Sequence, residues 1–254
     1  MQAPRHAWVT GGGSGIGAAI AETLVAAGMR VTITGRRLEV LQALASRFPS
    51  KMQAVEADVT DEAAVADAVA RAKAAFGPVD VLVNNAGQAL SAPFLKTDVT
   101  LWQQMLSVNL TGTFLCSQAV LPDMLTARWG RIINVASTAG LVGYAYVSAY
   151  VAAKHGVVGL TRALALEVAK KGITVNAVCP GYTETDILRE SIANVVAKTG
   201  RTEAQARAEF ASGNPQGRIV QPREVADTVR WLSGDGAASV TGQSIAVCGG
   251  ETMH

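Results

Sequence analysis

The sequence predicts an α/β protein with one doubly wound parallel β-sheet, and three observations lead to that fold class. Short apolar runs rich in β-branched residues alternate with Ala-rich segments of helical period along the 254 residues, as in sheets built from right-handed β–α–β crossovers. The strand-like runs are apolar at successive positions, which indicates helices on both faces of the sheet. No linker rich in Pro, Gly or Ser interrupts the chain, so one domain over residues 1–254 is expected.

Seven strands and the helices between them are predicted, and turn residues set several of their limits. The first strand ends at Gly11, and the helix after it stops at Gly28. Pro49 ends the second helix, because proline cannot continue the helical hydrogen bonds. The strands are predicted at residues 7–10, 31–34, 52–57, 79–83, 131–135, 173–178 and 244–247. The helices are predicted at residues 16–28, 38–48, 61–76, 101–126, 150–171 and 223–233.

Residues 183–215 form a polar, helix-prone insertion between the sixth strand and the helix that follows. Its acidic and basic residues, counted through Arg218, cancel. An insertion of this length is typical of a segment that covers a binding site. We expect a small, mobile helical lid over the substrate.

The charge balance and the cysteines exclude several classes of protein. Lys and Arg number 22 against 20 Asp and Glu, with no basic run, so no nucleic-acid or membrane partner is expected. No apolar run is long enough to span a membrane, and the six residues before the first strand are too few for a signal peptide. Cys116, Cys179 and Cys248 are odd in number and far apart, which predicts buried free thiols in a cytoplasmic protein. The three histidines lack the spacing of metal ligands, and no metal is predicted.

A glycine-rich loop, Thr-Gly-Gly-Gly-Ser-Gly-Ile-Gly at residues 10–17, joins the first strand to the first helix. Glycines let the backbone approach a diphosphate closely, and the free N–H groups of a helix N-terminus attract the anion. This position between a strand and a helix favours dinucleotide binding over a merely flexible turn. The residues expected to contact the cofactor are Gly11, Gly13, Ser14, Gly15, Ile16 and Gly17.

Six further motifs follow in order along nearly the whole chain. They are Asp58-Val59, Asn84-Asn85-Ala86-Gly87, Asn109, Ser137, Tyr150-x-x-x-Lys154 and Pro180-Gly181. With the loop spacing Thr-Gly-x-x-x-Gly-x-Gly, the sequence resembles the short-chain dehydrogenase/reductase family. The stretches at residues 178–181, 217–218, 221–226 and 247–250 are similar to 3-oxoacyl thioester reductases and polyketide ketoreductases.

The resemblance implies a Rossmann-type fold, a nicotinamide cofactor and a set of residues that contact it. Asp58 and Val59 are expected at the adenine, and the segment with Asn85, Ala86 and Gly87 at the floor of the cleft. Pro180 and Gly181 would turn the chain over the nicotinamide. Thr183 and Thr185 would hydrogen-bond the carboxamide or the diphosphate; many relatives have an aliphatic residue in place of Thr183.

The end of the second strand indicates which nicotinamide cofactor binds. An acidic residue there normally binds the ribose hydroxyls of NAD, whereas arginine accommodates the 2′-phosphate of NADP. The acid's place is taken by Gly35, and Arg36 and Arg37 follow. These cations lie at the start of a helix, where the macrodipole disfavours them unless an anion binds. We therefore predict NADP(H), although two solvated surface arginines are the alternative.

Tyr150 and Lys154 are four residues apart near the start of a predicted helix, so they lie on one face. A free phenol has a pKa near ~10, and a nearby ammonium or oxidised nicotinamide would lower it. The pair would then serve as a general acid for a ketone or as a general base for an alcohol. The resemblance implies that Tyr150 exchanges the proton and Ser137 binds the same oxygen. It also implies that Tyr150 and Lys154 both contact the cofactor, that Lys154 holds the nicotinamide ribose and that Asn109 holds a water leading from Lys154 to solvent.

We predict reduction of an apolar ketone, such as a 3-oxoacyl thioester, to a secondary alcohol. The predicted cleft, formed by residues 88–94, 139–146 and Tyr182 with the lid through Leu188, is largely apolar and aromatic. An NAD-dependent hydroxyacyl-CoA or alcohol dehydrogenase is the alternative. A non-catalytic NADP-binding regulator is a third hypothesis, which is disfavoured by the presence of Asn109, Ser137, Tyr150 and Lys154. The resemblance implies a homotetramer with a dimer as the alternative, and the balanced lid charge gives a carrier-protein partner no support.

Overall fold

In the computed structural model, which describes residues 4–253, seven parallel strands form one sheet in the order β3-β2-β1-β4-β5-β6-β7. This confirms the doubly wound, Rossmann-like fold class. The strands are β1 (His6–Thr10), β2 (Arg30–Gly35), β3 (Met52–Glu56), β4 (Val81–Asn84), β5 (Gly130–Val135), β6 (Ile173–Pro180) and β7 (Ser244–Val247). The helices are α1 (Gly15–Ala26), α2 (Leu38–Ala45), α3 (Glu62–Phe76), α4 (Val99–Leu106), α5 (Gly112–Ala127), α6 (Ser148–Val168), α7 (Asp186–Thr199), α8 (Glu203–Ser212) and α9 (Pro222–Leu232).

The two faces of the sheet bury separate apolar cores. Val9 packs on one face with Ile20 and Leu24 of α1. Its neighbour Trp8 points to the other face and packs with Met124 of α5. Successive residues of a strand point to opposite faces, so a sheet covered on both sides needs apolar residues at successive positions. This is the physical reason for the uninterrupted apolar runs in the sequence.

The strand order reverses between β1 and β4, which opens a crevice at the carboxyl ends of the strands. Most of the predicted motifs begin at or just after the end of a strand, whereas Asn109 lies in the turn between α4 and α5 and Tyr150 and Lys154 lie in α6. The first residues beyond these ends include Gly11, Arg36, Asp58, Asn85, Ser137 and Gly181. The fold therefore brings motifs that are far apart in sequence to one edge of the sheet.

The predicted helix at residues 101–126 is wrong as a single helix. The structure has α4 and α5 there, joined by a wider π-helical turn over Ser107–Thr111. A π turn inserts one residue into the helical hydrogen-bond ladder and is frequent at functional sites. Here the turn carries Asn109, which is buried.

The second helix is shorter than predicted, ending at Ala45 and not at residue 48. The Arg47 N–H donates to Leu44 O at 3.2 Å and the Phe48 N–H to Ala45 O at 2.9 Å. These bonds span three residues, so the last turn tightens before Pro49 and is no longer an α-helix.

Residues 183–215 contain the predicted helices, α7 and α8. The side chain of Thr185 caps α7, and Thr202 with Gln205 forms a capping box at the start of α8. Glu184 forms ion pairs with Arg189 of α7 and Arg207 of α8. Both helices are therefore tied to the segment that leaves β6, and the mobility of this lid stays a prediction.

Candidate active site

The glycine-rich loop is packed so tightly that side chains are excluded from it. Gly11 and Gly15 have φ values of +61° and +53°, in the left-handed region that favours glycine. A Cβ on Gly17 would overlap the carbonyl oxygen of Gly11 and lie 2.5 Å from Asn85 Nδ2. The loop and the first turn of α1 are thus in direct backbone contact.

We expect Gly17→Ala to weaken NADPH binding about tenfold or more, because the added methyl group must push the loop away from the helix. The matched control is Gly159→Ala in α6, where a Cβ would meet nothing within 4 Å. That control should raise the free energy of unfolding by about 0.5–1 kcal/mol. Fluorescence titration with NADPH and thermal melting measure both effects, and unchanged NADPH affinity in Gly17→Ala would contradict the role of the loop.

The N-terminus of α1 fits a bound diphosphate. Ser14 is the N-cap residue, but its side chain makes no hydrogen bond to the first turn, and that turn contains no acidic residue. Its backbone N–H groups and the positive end of the helix dipole are consequently available to an anion. The site has the shape and the donors that a dinucleotide requires.

The segment after β4 holds the loop in place. The backbone N–H groups of Asn85 and Ala86 both donate to Thr10 Oγ1 at 3.0 Å. The Asn85 side chain donates to the carbonyl oxygens of Thr10 and Gly11. The sequence prediction placed Asn85, Ala86 and Gly87 at the floor of the cleft; in the structure Asn85 also anchors the loop that forms its wall.

The expected adenosine end lies beyond β2 and β3. Arg36 and Arg37 are exposed, and no ion pair within residues 4–253 involves either of them. Arg37 is the N-cap residue of α2. Asp58 accepts hydrogen bonds from the N–H and hydroxyl of Thr60, and this turn fixes its carboxylate. Val59 is buried against Gly112, so it contributes packing at this end of the cleft.

Ser137, Tyr150 and Lys154 come together at the ends of β5 and β6. Lys154 Nζ lies 5.6 Å from the centre of the Tyr150 ring and donates to Val135 O at 2.9 Å. Ser137 Oγ accepts from the Ala139 N–H at 3.1 Å, which leaves its own proton free to donate. Lys154 is buried, with 4% of its surface exposed.

Asn109 joins this group through the π turn. Its side chain donates to Gln88 O at 2.9 Å and to Met105 O at 3.0 Å, and its Oδ1 accepts from the Gln88 N–H. A Cβ on Gly87 would lie 2.9 Å from Asn109 Oδ1 and 3.7 Å from Lys154 Nζ. Gly87 therefore lies close to both the amide and the ammonium, and the water expected between Asn109 and Lys154 stays a prediction.

The pKa values of the pair follow burial. Burial raises the pKa of the Tyr150 phenol, and a hydrogen bond with Ser137 partly offsets this. Burial lowers the pKa of Lys154 to about 8. For the side chains alone the pKa of Tyr150 is therefore raised, and Lys154 is not among the groups that shift it. The expected lowering by the ammonium together with an oxidised nicotinamide stays a prediction.

The segment after β6 returns to the glycine-rich loop. The Thr183 hydroxyl donates to Gly181 O at 2.9 Å, and the Thr185 hydroxyl donates to Thr183 O at 3.2 Å. A Cβ on Gly15 would lie 3.1 Å from Thr185 Cγ2, so Thr185 contacts the loop. Both threonine protons are used within the turn that starts at Pro180, and Thr183 is buried.

Comparisons with known proteins agree with this geometry. The sequence model of the family described as short chain dehydrogenase matches residues 5–195. The chain belongs to this family. It is 38% identical to a D-beta-hydroxybutyrate dehydrogenase of Rhizobium meliloti (strain 1021), over 98% of this chain and 99% of that protein. It is 43% identical to a putative ketoacyl reductase of Streptomyces coelicolor (strain ATCC BAA-471 / A3(2) / M145), over 96% and 95%.

Two further comparisons support the resemblance to thioester and polyketide reductases. The short-chain dehydrogenase is 37% identical to the 3-oxoacyl-(acyl-carrier-protein) reductase FabG of Escherichia coli (strain K12), over 97% of each chain. A crystal structure of actinorhodin polyketide ketoreductase with NADPH superposes with a TM-score of 0.95 at 39% identity, covering 99% of this chain and 98% of that one. The protein is an oxidoreductase of a family that binds a nicotinamide cofactor.

The structure of this chain also bears on the expectations for its cysteines, for membrane spans and for metal sites. Cys116, Cys179 and Cys248 are free and buried, as predicted. Within residues 4–253, no helix is long and apolar enough to cross a membrane, and no group of three His, Cys, Asp or Glu is arranged to hold a metal ion.

The structure adds one residue that the sequence reasoning missed. Glu251 follows β7, and its carboxylate accepts a hydrogen bond from the Tyr144 hydroxyl. Tyr144 and Tyr182 contact each other as the predicted cleft implies, whereas Tyr146 has 67% of its surface exposed. All seven strands are parallel, so residues just after β7 lie at the same edge as those after β5 and β6. That rule, applied to the last strand, would have found Glu251.

Proposed function

We propose that this short-chain dehydrogenase reduces a ketone to a secondary alcohol with NADP(H). The observation that carries the proposal is the meeting of Ser137, Tyr150 and Lys154 at the carboxyl edge of the sheet. Asn109 and the glycine-rich loop lie beside them. A half-buried general acid next to a cofactor cradle is what transfer of hydride to a carbonyl requires.

The bound cofactor supplies the hydride, and the chain's own side chains handle the proton. Burial keeps the Tyr150 phenol protonated at neutral pH, which is the form that donates a proton to a ketone oxygen. Ser137 can donate a second hydrogen bond to that oxygen, because its Oγ already accepts from Ala139. Lys154, with a pKa of about 8, can return a proton toward Tyr150. Asn109 would order the water that connects Lys154 to solvent.

The cofactor preference is proposed from charge. Arg36 and Arg37 follow Gly35, so no carboxylate ends β2 to repel a 2′-phosphate. The two exposed guanidiniums have no ion-pair partner within the described chain, and phosphate is a strong ligand for arginine. The similarity to a ketoreductase solved with NADPH supports the same choice.

Replacing both Arg36 and Arg37 with Ala is expected to raise the KM for NADPH roughly a hundredfold or more, since two charge-assisted phosphate contacts of about 1.5–3 kcal/mol each are lost. The KM for NADH should change less than threefold. A matched control is the double variant Lys170→Ala, Lys171→Ala, which removes two exposed cations before β6, at the opposite edge of the sheet. An equal loss with both cofactors would contradict binding of the 2′-phosphate.

The substrate class is proposed from the cleft and from the relatives. Tyr144 and Tyr182 lie beside the site, and relatives carry the names ketoacyl reductase and 3-oxoacyl-(acyl-carrier-protein) reductase. A 3-oxoacyl thioester or a related apolar ketone fits both observations. A panel of acetoacetyl-CoA, cyclic ketones and aromatic ketones with NADPH tests the proposal, and no turnover of any of them would contradict it.

One relative favours a second candidate, an NAD-dependent hydroxyacyl-CoA or alcohol dehydrogenase. That relative is the D-beta-hydroxybutyrate dehydrogenase. Turnover with NADH compared with NADPH separates the candidates, and a preference for NADH would favour the second. The predicted homotetramer is tested by light scattering on the purified protein, and the cytoplasmic location stays a prediction.

A further inference from the structure

Glu251 brings a carboxylate into the aromatic part of the cleft. We call Tyr144, Tyr182, Phe210 and Glu251 the distal cluster. The ring centres of Tyr182 and Phe210 are 4.9 Å apart, and those of Tyr182 and Tyr144 are 6.4 Å apart. The cluster combines the loop before α6, the segment after β6, helix α8 and the chain after β7, so four separate parts of the chain meet there.

The cluster is next to the reacting groups. The Tyr144 hydroxyl lies 2.9 Å from Oγ1 of Thr138, which follows Ser137. A Cβ on Gly181 would lie 2.7 Å from Glu251 Oε2, and one on Gly213 would lie 3.6 Å from Oε1. The carboxylate is thus placed between the end of β6 and the end of α8, beside the segment expected at the nicotinamide.

One oxygen of the Glu251 carboxylate accepts a hydrogen bond, and the other has no hydrogen-bond partner among the described residues. The single hydroxyl proton of Tyr144 is donated to Glu251 Oε1, so the contact with Thr138 must use the threonine proton. Within residues 4–253, no hydrogen bond reaches Glu251 Oε2, and no ion pair involves Glu251. This oxygen is not among the buried polar atoms that lack a partner, so it is not sealed inside the protein. It is an accessible acceptor beside Gly181.

We infer that Glu251 selects ketones that carry a hydrogen-bond donor, and no carboxylate, at the end away from the reacting carbonyl. The inference rests on the proposed function, because it concerns the same cleft. A hydroxyl group on the substrate would satisfy Oε2, whereas an apolar group would leave a carboxylate oxygen unpaired as the cleft fills. A substrate carboxylate would place two like charges together in a partly desolvated site.

Three cyclohexanones that differ only at position 4 test the inference: 4-hydroxycyclohexanone, 4-methylcyclohexanone and 4-oxocyclohexanecarboxylate. In the unmodified protein, kcat/KM should be highest for the hydroxyl compound and about tenfold or more lower for the carboxylate than for the methyl compound. Glu251→Gln keeps the shape and removes the charge. It should reduce the methyl-to-carboxylate ratio about tenfold while the affinity for NADPH is unchanged.

Controls separate charge from folding. Glu190→Gln removes an exposed carboxylate from α7 and should leave all three ratios unchanged. Glu251→Ala serves as a second variant if the melting temperature of Glu251→Gln falls sharply. A ratio between two substrates is insensitive to the fraction of folded protein, so a purely structural role of Glu251 would not alter it.

Calorimetry of each cyclohexanone binding to the complex of the protein with NADP distinguishes the proposed selection by Glu251 from the proposed reaction. Turnover with the same ratios in Glu251→Gln and the unmodified protein overturns the charge selection and leaves the reaction standing. If the carboxylate compound binds more weakly than the methyl compound, Glu251→Gln removes that difference, and no compound is turned over, the selection is supported and the proposed reaction is contradicted. If none of the three compounds binds or is turned over, both proposals are overturned.

Discussion

Tyr150→Phe is expected to lower kcat for ketone reduction roughly a thousandfold, because general acid catalysis by one side chain contributes about 10²–10⁴ in rate. The substitution removes only the hydroxyl that donates the proton, and the ring keeps its packing. Burial raises the pKa of this phenol, so the acid form is present throughout the neutral range and its loss should be equally severe at pH 6 and pH 8. Steady-state rates with NADPH and a reducible ketone measure the effect.

Binding of NADPH is the internal control for this variant. The cradle is formed by the glycine-rich loop and the N-terminus of α1, which do not involve the phenol. The dissociation constant for NADPH should therefore change less than threefold. Turnover within tenfold of the unmodified protein would show that Tyr150 is not the acid, and a large loss of NADPH affinity would indicate a structural defect instead.

Lys154→Met should remove activity and stabilise the fold. Burial lowers the pKa of Lys154 to about 8, well below its value of 10.5 in an unfolded chain. A group that binds its proton less tightly in the folded state opposes folding at neutral pH. Methionine removes that penalty but leaves Val135 O without the ammonium donor. We expect a net gain of about 1–2 kcal/mol in the free energy of unfolding at pH 7, and a loss of activity of roughly a hundredfold or more.

The sign of the pH dependence follows from the same shift. Below pH 8, Lys154 is charged in both states and its full burial cost applies. Between pH 8 and 10.5 the folded protein loses the proton first, so the cost falls as the pH rises. The stability advantage of Lys154→Met, measured by urea unfolding, should shrink between pH 7 and pH 9.5. An advantage that grows over this range would contradict a lowered pKa for Lys154.

The fold could be predicted because the motifs and the apolar runs are local features of the sequence. The seven strands needed only the runs and their turn residues, and Gly28 stops the first helix as expected, with φ of +90°. The π turn at Asn109 could not be predicted, because helical periodicity continues through it and its cause is tertiary. The Asn109 amide bonds Gln88, more than twenty residues away in sequence.

Part of the candidate site could likewise be predicted from the sequence, and part of it could not. The position of Ser137 at this edge follows from the strand rule, and Tyr150 and Lys154 share one face of the predicted helix because they are four residues apart. Their roles stay predictions. The direction of the Tyr150 pKa did not follow, since it depends on how deeply the fold buries the phenol. Glu251 was missed because it belongs to none of the sequence motifs. Residues just after a parallel strand lie at the functional edge of the sheet whatever their type.

The strand order separates the residues proposed to bind the 2′-phosphate of the cofactor from those proposed to act at the substrate. Arg36 and Arg37 lie beyond β2, whereas Ser137, Gly181 and Glu251 lie beyond β5, β6 and β7, with β1 and β4 between the two groups. Substitutions at sites that share no partners usually have additive effects. We therefore expect substitutions in the two groups to combine additively, so that a change of the proposed cofactor preference leaves the proposed substrate preference unaltered.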